Sequence, residues 1–528
     1  MPTVLVRFRG EERPIEAREG ETLLAALQRA GYRAPEAPCG GNATCGKCLV
    51  EVTGAVSAPD AHELDLLSDR KDLRLACCAK VLGDCAVHIE EAGMGAVIAL
   101  DGVSLSFPLD PPAGRVGLGI AVDIGTTTVV AHLRNLSNGA KLGVASGMNR
   151  QRVFGADVIS RINHANTTPG GLEQMTAAIR EQLAEYAREM CQKAGHQVEE
   201  IRSYTIAGNT IMEHILAGLS PASIAVAPFT PLSLFGDERP AAELGLPGGP
   251  EATVYLTPAV AGYVGGDITA GILASGAGRA EEPSLFLDIG TNGEMSLGTR
   301  DGLTSCATAA GPAFEGAEIA WGMSGVNGAI SKVWLEDGAP RFSVIGDCAP
   351  EGICGSGLVD ALAVLLKMGA VDETGRLLDA DEAPEAVLPY LEEDDDGTLF
   401  RLDKASGVAI TAGDVRKLQL AKAAVAAGIQ TLLEDRGITE EQVARLYLAG
   451  GFGSYINKES AGAIGLLPPA LLFKTVGVGN SAGAGAVAAL LSRSARAEME
   501  EIQHKCGYLE LSTNPSFTDH YIECMSFE

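Results

Sequence analysis

Apolar and polar residues alternate from Thr3 to Arg9, which predicts a strand, and Ile15 lies in a second. Thr22 to Ala30 reads as a short helix, Leu49 to Val52 as an apolar strand, and a last strand falls near Val87 and Ile89. Strand, strand, helix, loop, strand is the order of a small β-grasp domain, here over residues 1–90. From Glu91 to Gly117 the pattern fades into Gly and Pro, with Pro108, Pro111 and Pro112 close together. Residues 91–117 are read as a short linker, semi-rigid where the prolines cluster.

From Leu118 strands and helices alternate. Ile120 to Asp123 is a buried-type strand that turns at Gly125-Thr-Thr-Thr128 and returns as Val129 to Leu133. The same device recurs in Leu285 to Asp288, the turn Gly290-Thr-Asn-Gly293, and the return Glu294 to Leu297. The two aspartates are 165 residues apart, and a duplicated α/β pair is the simplest explanation. Val415, Leu418, Ala421, Val425, Ile429 and Leu432 recur at three- and four-residue steps, the mark of a helix with one apolar face, and Gly437 ends it. Leu446 to Leu448 starts a strand that runs into Ala449-Gly-Gly-Phe-Gly453, and the tail from Tyr508 to Glu528 reads as strand-rich. The expected class is α/β and α+β. Residues 118–528 form the second domain, with halves at about 118–282 and 283–490 followed by the tail.

Composition narrows the function. A chain of 528 residues exceeds a single core, and 65 Gly with 5% aromatic residues suits a Gly-rich α/β enzyme. The formal net charge of −28 argues against nucleic acid and anionic membranes as partners. No opening segment has a basic-then-apolar layout and no apolar run reaches bilayer length, so a cytoplasmic protein without a membrane partner is expected. The 12 cysteines then fit a reduced compartment and metal ligation better than secretion.

Cys39, Cys45 and Cys48 have spacings of five and two residues, in a loop with three glycines, and a fourth cysteine stands far downstream. Thiolates bind iron, while glycines let the chain wrap tightly and aim N–H groups at the sulfides. The layout is similar to a [2Fe–2S] ferredoxin, with the five-residue first gap of the adrenodoxin-like branch. The fourth ligand is Cys77 or Cys78. Cys77 is favoured because ferredoxin-like domains of this kind end their ligand set with Leu-Ala-Cys, as in Leu75-Ala-Cys77. A zinc site is the alternative, although zinc prefers paired short spacings at both ends. Cys85 is read as a core thiol.

Each aspartate hairpin ends a buried strand with a carboxylate and then turns tightly. Glycine lets the backbone approach a phosphate, and the N–H groups and threonine hydroxyls can donate to its oxygens. Two facing turns would clamp a triphosphate through Asp123, Gly125, Thr126, Thr127 and Thr128 on one side and Asp288, Gly290, Thr291, Asn292 and Gly293 on the other. Asp123 and Asp288 would sit where Mg²⁺ and its waters bridge the phosphates. Asp288 and Glu294 are the candidates for orienting the attacking water, each with a structural role as the alternative. Gly450, Gly451 and Gly453 precede a helix start against which adenosine could pack. Gly355 and Gly357 form either a second nucleotide wall or a closely packed helix start. Asn209 and Asp267 lie in Gly-rich turns and face the cleft or are plain turn residues.

This three-part set resembles the superfamily of acetate and sugar kinases, Hsp70 and actin (ASKHA) across residues 118–490, which implies a duplicated RNase H-like ATPase binding Mg-ATP. A ferredoxin-like N-terminus on that core resembles the reductive activators of corrinoid-dependent enzymes. Further stretches carry the same resemblance: Gln151 to Arg161, Ala310 to Gly316, Gln419 to Ala424 and Leu511 to Pro515. The resemblance implies ATP-dependent reduction of an inactive Co(II) corrinoid to Co(I), with electrons passed through the [2Fe–2S] cluster. The implied partners are a corrinoid protein of a methyltransferase system and a low-potential donor such as ferredoxin, flavodoxin or a reductase; a homodimer is one expected assembly. Ser305 and Thr308 are placed either on the partner-facing surface or in a bland turn.

Three rivals remain at this level. An ATP-driven activator of 2-hydroxyacyl-CoA dehydratases shares the ATPase fold and carries cluster cysteines after the second phosphate turn, where Cys306 and Cys348 stand here. A small-molecule kinase with a redox domain is the second, and an actin-like filament or chaperone the third.

Overall fold

The computed structural model describes residues 2–8, 11–30, 32, 48–67, 73–89, 95–100, 103–394, 397–453 and 456–527. The chain divides into two compact units, 1–95 and 96–528.

The first unit carries strands β1 (Thr3–Phe8), β2 (Glu11–Glu16), β3 (Leu49–Val56), β4 (Arg74–Leu75) and β5 (Val81–His88), with helices α1 (Leu23–Arg29) and α2 (Ala61–Leu67). The sheet order is β2-β1-β5-β3-β4, and β1 and β5 pair in parallel. Val4, Val6, Leu23, Leu27, Val50, Leu75 and Val87 fill its core, with Cys48 and Cys85 among them.

The second unit opens with a two-stranded sheet, β6 (Gly95–Leu100) and β7 (Val103–Pro108), within the stretch read as a linker. Phe107 and Leu109 are buried in the larger unit, and the Arg279 guanidinium lies 4.6 Å from the centre of the Phe107 ring. Pro108 ends this hairpin and Pro111 and Pro112 follow it, so local composition hid a pair of strands that is anchored by tertiary packing.

Two six-stranded sheets follow. The first contains β8 (Leu118–Ile124), β9 (Thr128–Asn135), β10 (Lys141–Met148), β11 (Ile201–Gly208), β12 (Glu238–Pro240) and β13 (Thr253–Leu256), with helices α3 (Val158–Thr167), α4 (Gly171–Ala194) and α5 (Thr210–Ala217). Its order is β10-β9-β8-β11-β13-β12. Helix α6 (Gly266–Ser275) leads to the second half: β14 (Ser284–Ile289), β15 (Gly293–Thr299) and β16 (Gly302–Thr308). A small sheet of β17 (Ala329–Glu336), β18 (Ala339–Val344) and β19 (Gly352–Ile353) comes next, then α7 (Gly355–Met368). Another small sheet has β20 (Leu391–Asp394), β21 (Gly397–Arg401) and β22 (Ala409–Thr411), followed by α8 (Ala412–Arg436). The second large sheet is completed by β23 (Arg445–Ala449), β24 (Thr475–Gly479) and β25 (Cys506–Tyr508), around helices α9 (Gly450–Gly453), α10 (Lys458–Ala463), α11 (Ser481–Leu491) and α12 (Arg493–Lys505). Its order is β24-β23-β14-β15-β16-β25.

The duplication is explicit in these orders. In each half three antiparallel strands are joined by two parallel ones on the side of the first strand: β8, β9, β10 with β11 and β13, and β14, β15, β16 with β23 and β24. β8 and β14 are central strands with apolar residues on both faces, and each reserves one half-buried position near its end for an aspartate. Helices α6 and α11 cross where the halves meet. A methyl group on Gly485 would collide with the Ala270 carbonyl, so glycine there permits the close approach.

The long helix α8 starts at a capping box of Thr411 and Asp414 and stops at Gly437, whose φ of 63° is left-handed. The tail is mainly helical, not strand-rich: Asn514 caps α13 (Pro515–Glu523), with proline in its first turn. Phe517 and Tyr521 sit one turn apart, with ring centres 6.1 Å from each other. Their helical spacing, not their strand propensity, decides the conformation. The tail then docks on α8, where Gln419 donates to the carbonyls of Thr374 (2.8 Å) and Met525 (2.7 Å) and the buried Lys422 donates to that of Ser526.

Candidate functional site

The first turn closes with the Gly125 N–H donating to the Thr128 carbonyl at 2.9 Å. Three side chains hold it from behind. Asn149 donates its amide to the Gly125 carbonyl at 2.9 Å. Arg161, fully buried, donates to the carbonyls of Thr126 (2.6 Å) and Gly155 (3.0 Å). Burial lowers its pKa to about 10, so it stays a cation at neutral pH. Asn209 caps α5 by accepting from the Met212 N–H at 2.9 Å, and its amide donates to the Thr126 hydroxyl at 3.1 Å.

The second turn closes with the Gly290 N–H on the Asn292 carbonyl at 2.9 Å. Asp288 stands in register with Glu294 on one side and Ala449 on the other. That register brings Gly450 against it: a methyl group on Gly450 would lie 2.6 Å from Asp288 Oδ1, and its φ of 89° also requires glycine. In the first half Asp123 is in register with Ala207, so Gly208-Asn209 is the counterpart of Gly450-Gly451. A methyl on Gly265 would lie 2.5 Å from Asn209 Cα and 2.7 Å from Asp267 Oδ1, which brings the start of α6 against the same turn. The start of α11 reaches the first turn through Asn480, whose amide donates to Asp123 at 2.9 Å.

Five carboxyl groups gather in this region. Burial raises Asp123 to about 6, against the lowering effect of Asn480. Burial, then the charge of Asp123, raises Asp288 to about 7. Burial, then Asp288 and Asp123, raises Asp267 to about 8. Burial and the charges of Asp267 and Asp288 push Glu294 well up. Glu213, fully enclosed on α5, is pushed well up by burial and by Asp267, with the Thr257 hydroxyl donating to it at 3.1 Å. Burial and mutual repulsion together leave this set of carboxyls holding protons at neutral pH. Among the described residues no three His, Cys, Asp or Glu converge as a direct metal site.

Glu213, Glu315 and Asn480 join this site without having been singled out as site residues. Glu315 falls inside the 310–316 stretch, and Asn480 begins a Ser-Ala-Gly-Ala-Gly helix start that parallels Gly265-Gly-Asp267. Asp267 lies within the electrostatic reach of Asp288 and Asp123, and Asn209 caps α5 while its amide holds Thr126, so both stand beside the turns. At Gly357 the packing alternative accounts for the glycine, since a methyl there would collide with the Ile330 carbonyl of β17. Gly355 is likewise buried, at the start of α7. Ser305 and Thr308 are buried on β16, where Ser305 contacts Ser296 and lies 2.7 Å from Cys506 Sγ. They cannot face a partner, because their side chains point into the packed interior. Cys306 is equally buried, with its thiol pushed well up by burial, and is unsuited to ligate a cluster shared between subunits.

Cys39 and Cys45 lie outside the described residues. Cys48 Sγ lies 3.2 Å from Cys77 Sγ and accepts from the Cys77 N–H at 3.4 Å. Cys78 Sγ is 3.8 Å from that of Cys77. Two adjacent sulfurs with a backbone donor fit one edge of an iron–sulfur cluster and favour Cys77 as the fourth ligand. The approach to Cys77 is fixed by the buried Glu63, which takes Arg74 in a two-pronged ion pair (2.8 and 2.9 Å) and the Leu75 N–H at 2.8 Å.

Paired aspartate turns from duplicated halves define an ATPase-type cleft of the ASKHA class, carried on a chain with an iron–sulfur domain. Family models match in three places: a 2Fe-2S iron-sulfur cluster binding domain at residues 6–82, the RACo middle region at 118–280, and the C-terminal ASKHA domain of RACo at 282–528. The chain is 38% identical to the corrinoid activation enzyme RamQ of Eubacterium limosum, over 76% of this chain and 69% of that protein. It is 26% identical to the [Co(II) methylated amine-specific corrinoid protein] reductase of Methanosarcina barkeri, over 78% of this chain and 77% of the other. A solved reductive activator for corrinoid, iron-sulfur protein superposes with a TM-score of 0.71 at 33% identity, covering 100% of this chain and 98% of that one. The chain belongs to the family of reductive activators of corrinoid proteins. No helix among the described residues is long and apolar enough to cross a membrane.

Proposed function

We propose that this chain couples MgATP hydrolysis in the cleft to one-electron reduction of a partner's corrinoid from Co(II) to Co(I). The observation that carries the reading is the convergence of Asp123, Asp267, Asp288 and Glu294 at the paired turns, on a chain whose other unit brings Cys48 and Cys77 sulfurs together. The turn N–H groups and threonine hydroxyls bind phosphate oxygens, and Arg161 fixes the first turn. Asp288 and Glu294 orient the attacking water, directly or through Mg²⁺, with Asp267 beside them. Asp123 and Asp288 would hold Mg²⁺ through its waters, and the ion supplies charge neutralisation at the phosphates. Cys39, Cys45, Cys48 and Cys77 would hold the [2Fe–2S] cluster, which supplies a one-electron carrier.

Reduction to Co(I) is uphill from a plant-type [2Fe–2S] potential of about −400 mV. ATP assists only through differential binding: one nucleotide state of the cleft favours a corrinoid complex that accepts the electron. A low-potential ferredoxin, flavodoxin or reductase is the donor in this reading, the cytoplasm is the compartment, and a homodimer is the assembly. The test is phosphate release. Hydrolysis stimulated by a Co(II) corrinoid protein and abolished in Asp288→Asn supports the reading; phosphate appearing on a sugar or acid instead contradicts it and favours the kinase.

A further inference from the structure

Glu315 lies at the end of a single turn, Pro312–Glu315, that is bracketed by Gly311 (φ 78°) and Gly316 (φ 76°). Its two carboxylate oxygens take one hydroxyl each. Thr127 donates to Oε2 at 3.0 Å and Thr291 donates to Oε1 at 2.8 Å. Thr127 belongs to the first phosphate turn and Thr291 to the second, so one side chain spans both halves of the repeat.

A threonine hydroxyl has a single proton to donate. While Thr127 and Thr291 donate to Glu315, neither can donate to a phosphate oxygen. The carboxylate also brings a negative charge between two turns built to receive negative oxygens, and both of these partners are neutral. Phosphate and Glu315 therefore compete, for the same donors and through like charge in a part-buried setting. The competition is unequal among nucleotides. A ligand that reaches both turns regains both hydroxyls on displacing the carboxylate, whereas a shorter one leaves at least one hydroxyl bonded to Glu315.

We infer that Glu315 is a specificity-determining residue of the nucleotide site: a clasp across the two turns that a nucleoside triphosphate displaces and a diphosphate does not. The inference rests on the reading that MgATP binds between the turns. The clasp sets how strongly the cleft distinguishes the nucleotide before hydrolysis from the one after it, and that distinction is the quantity a nucleotide-driven cycle exploits.

The test measures MgATP and MgADP affinities calorimetrically for the full chain and for Glu315→Ala and Glu315→Gln. The expected result is a gain of about tenfold for MgATP in Glu315→Ala with MgADP changed less than about twofold, as loss of a competing charge-assisted contact implies. Glu315→Gln, isosteric and uncharged, shifts MgATP in the same direction by less. A merely structural role moves both nucleotides together or lowers the melting temperature without altering their ratio. Parallel shifts, or weaker MgATP binding in both variants while the wild type binds normally, overturn the inference and leave the site reading standing. A wild-type chain that binds no MgATP overturns both.

Discussion

The Asn480 side-chain amide donates to the Asp123 carboxylate at 2.9 Å, joining the start of α11 in the second half to the first phosphate turn. This hydrogen bond opposes the burial that raises Asp123 to about 6. Replacing Asn480 with alanine removes the bond and raises Asp123 further. The acid limb of the kcat/KM profile for MgATP should then move to higher pH, and KM at pH 7 should rise about tenfold, a typical cost for a bond to a charged group. An unchanged acid limb contradicts the assignment.

Stability should depend on pH through the gathered carboxyls. Asp123, Asp288 and Asp267 are raised to about 6, 7 and 8, while the unfolded chain titrates near about 4. Between these limits the folded form binds more protons, so stability falls as pH rises from about 4 to about 8. Asp267→Asn removes one of the charges. It should melt about 2 °C or more above wild type at pH 8 and level with it near pH 4. Melting curves across that range decide, and a wild type that gains stability from pH 6 to 8 counts against the coupled set.

Arg161 supports the first turn from inside the core. Arg161→Met leaves the carbonyls of Thr126 and Gly155 without their donor and should cost about 2–4 kcal/mol of stability while raising KM for MgATP. Arg161→Lys keeps the charge and at most part of the geometry, and should fall between. Denaturant melts and nucleotide titrations of both variants test this; an Arg161→Met protein with wild-type KM shows that the turn does not depend on it.

In the first unit, Glu63 holds the segment that carries Cys77. Breaking a buried ion pair costs about 3–5 kcal/mol, and Glu63 also accepts from the Leu75 N–H. Glu63→Gln should assemble a cluster that bleaches several-fold faster in air than wild type, followed by visible absorbance. Equal decay rates show that the pair does not position the ligand.

Much of this architecture is legible in the sequence because it is local. A strand that ends in Asp, a Gly-Thr turn and a returning strand lie within a dozen residues, and their recurrence exposes the duplication. Gly437 after an apolar helical stripe and the Cys39–Cys48 spacing are read the same way. The elements that escape are those whose meaning depends on what they meet. Asn480 sits at a helix start far along the chain from the turn it joins, and a single amide after glycine has no local signature. Glu315 acquires its role only when β-strands 165 residues apart bring Thr127 and Thr291 together. The β6–β7 hairpin and the α13 tail were obscured by prolines and aromatics whose behaviour is set by the surface they dock on. Ser305 reads as a polar loop residue, but its hydroxyl is spent inside the sheet on Ser296 and Cys506.

The most direct measurement mixes the full chain with its cluster, a Co(II) corrinoid protein and a low-potential reductant, and follows Co(I) absorbance with and without MgATP. Co(I) should accumulate with MgATP and fail to do so without it, or with MgATP and the Asp288→Asn variant. Equal Co(I) in the absence of nucleotide, or none in its presence, contradicts the coupling of cleft and electron transfer.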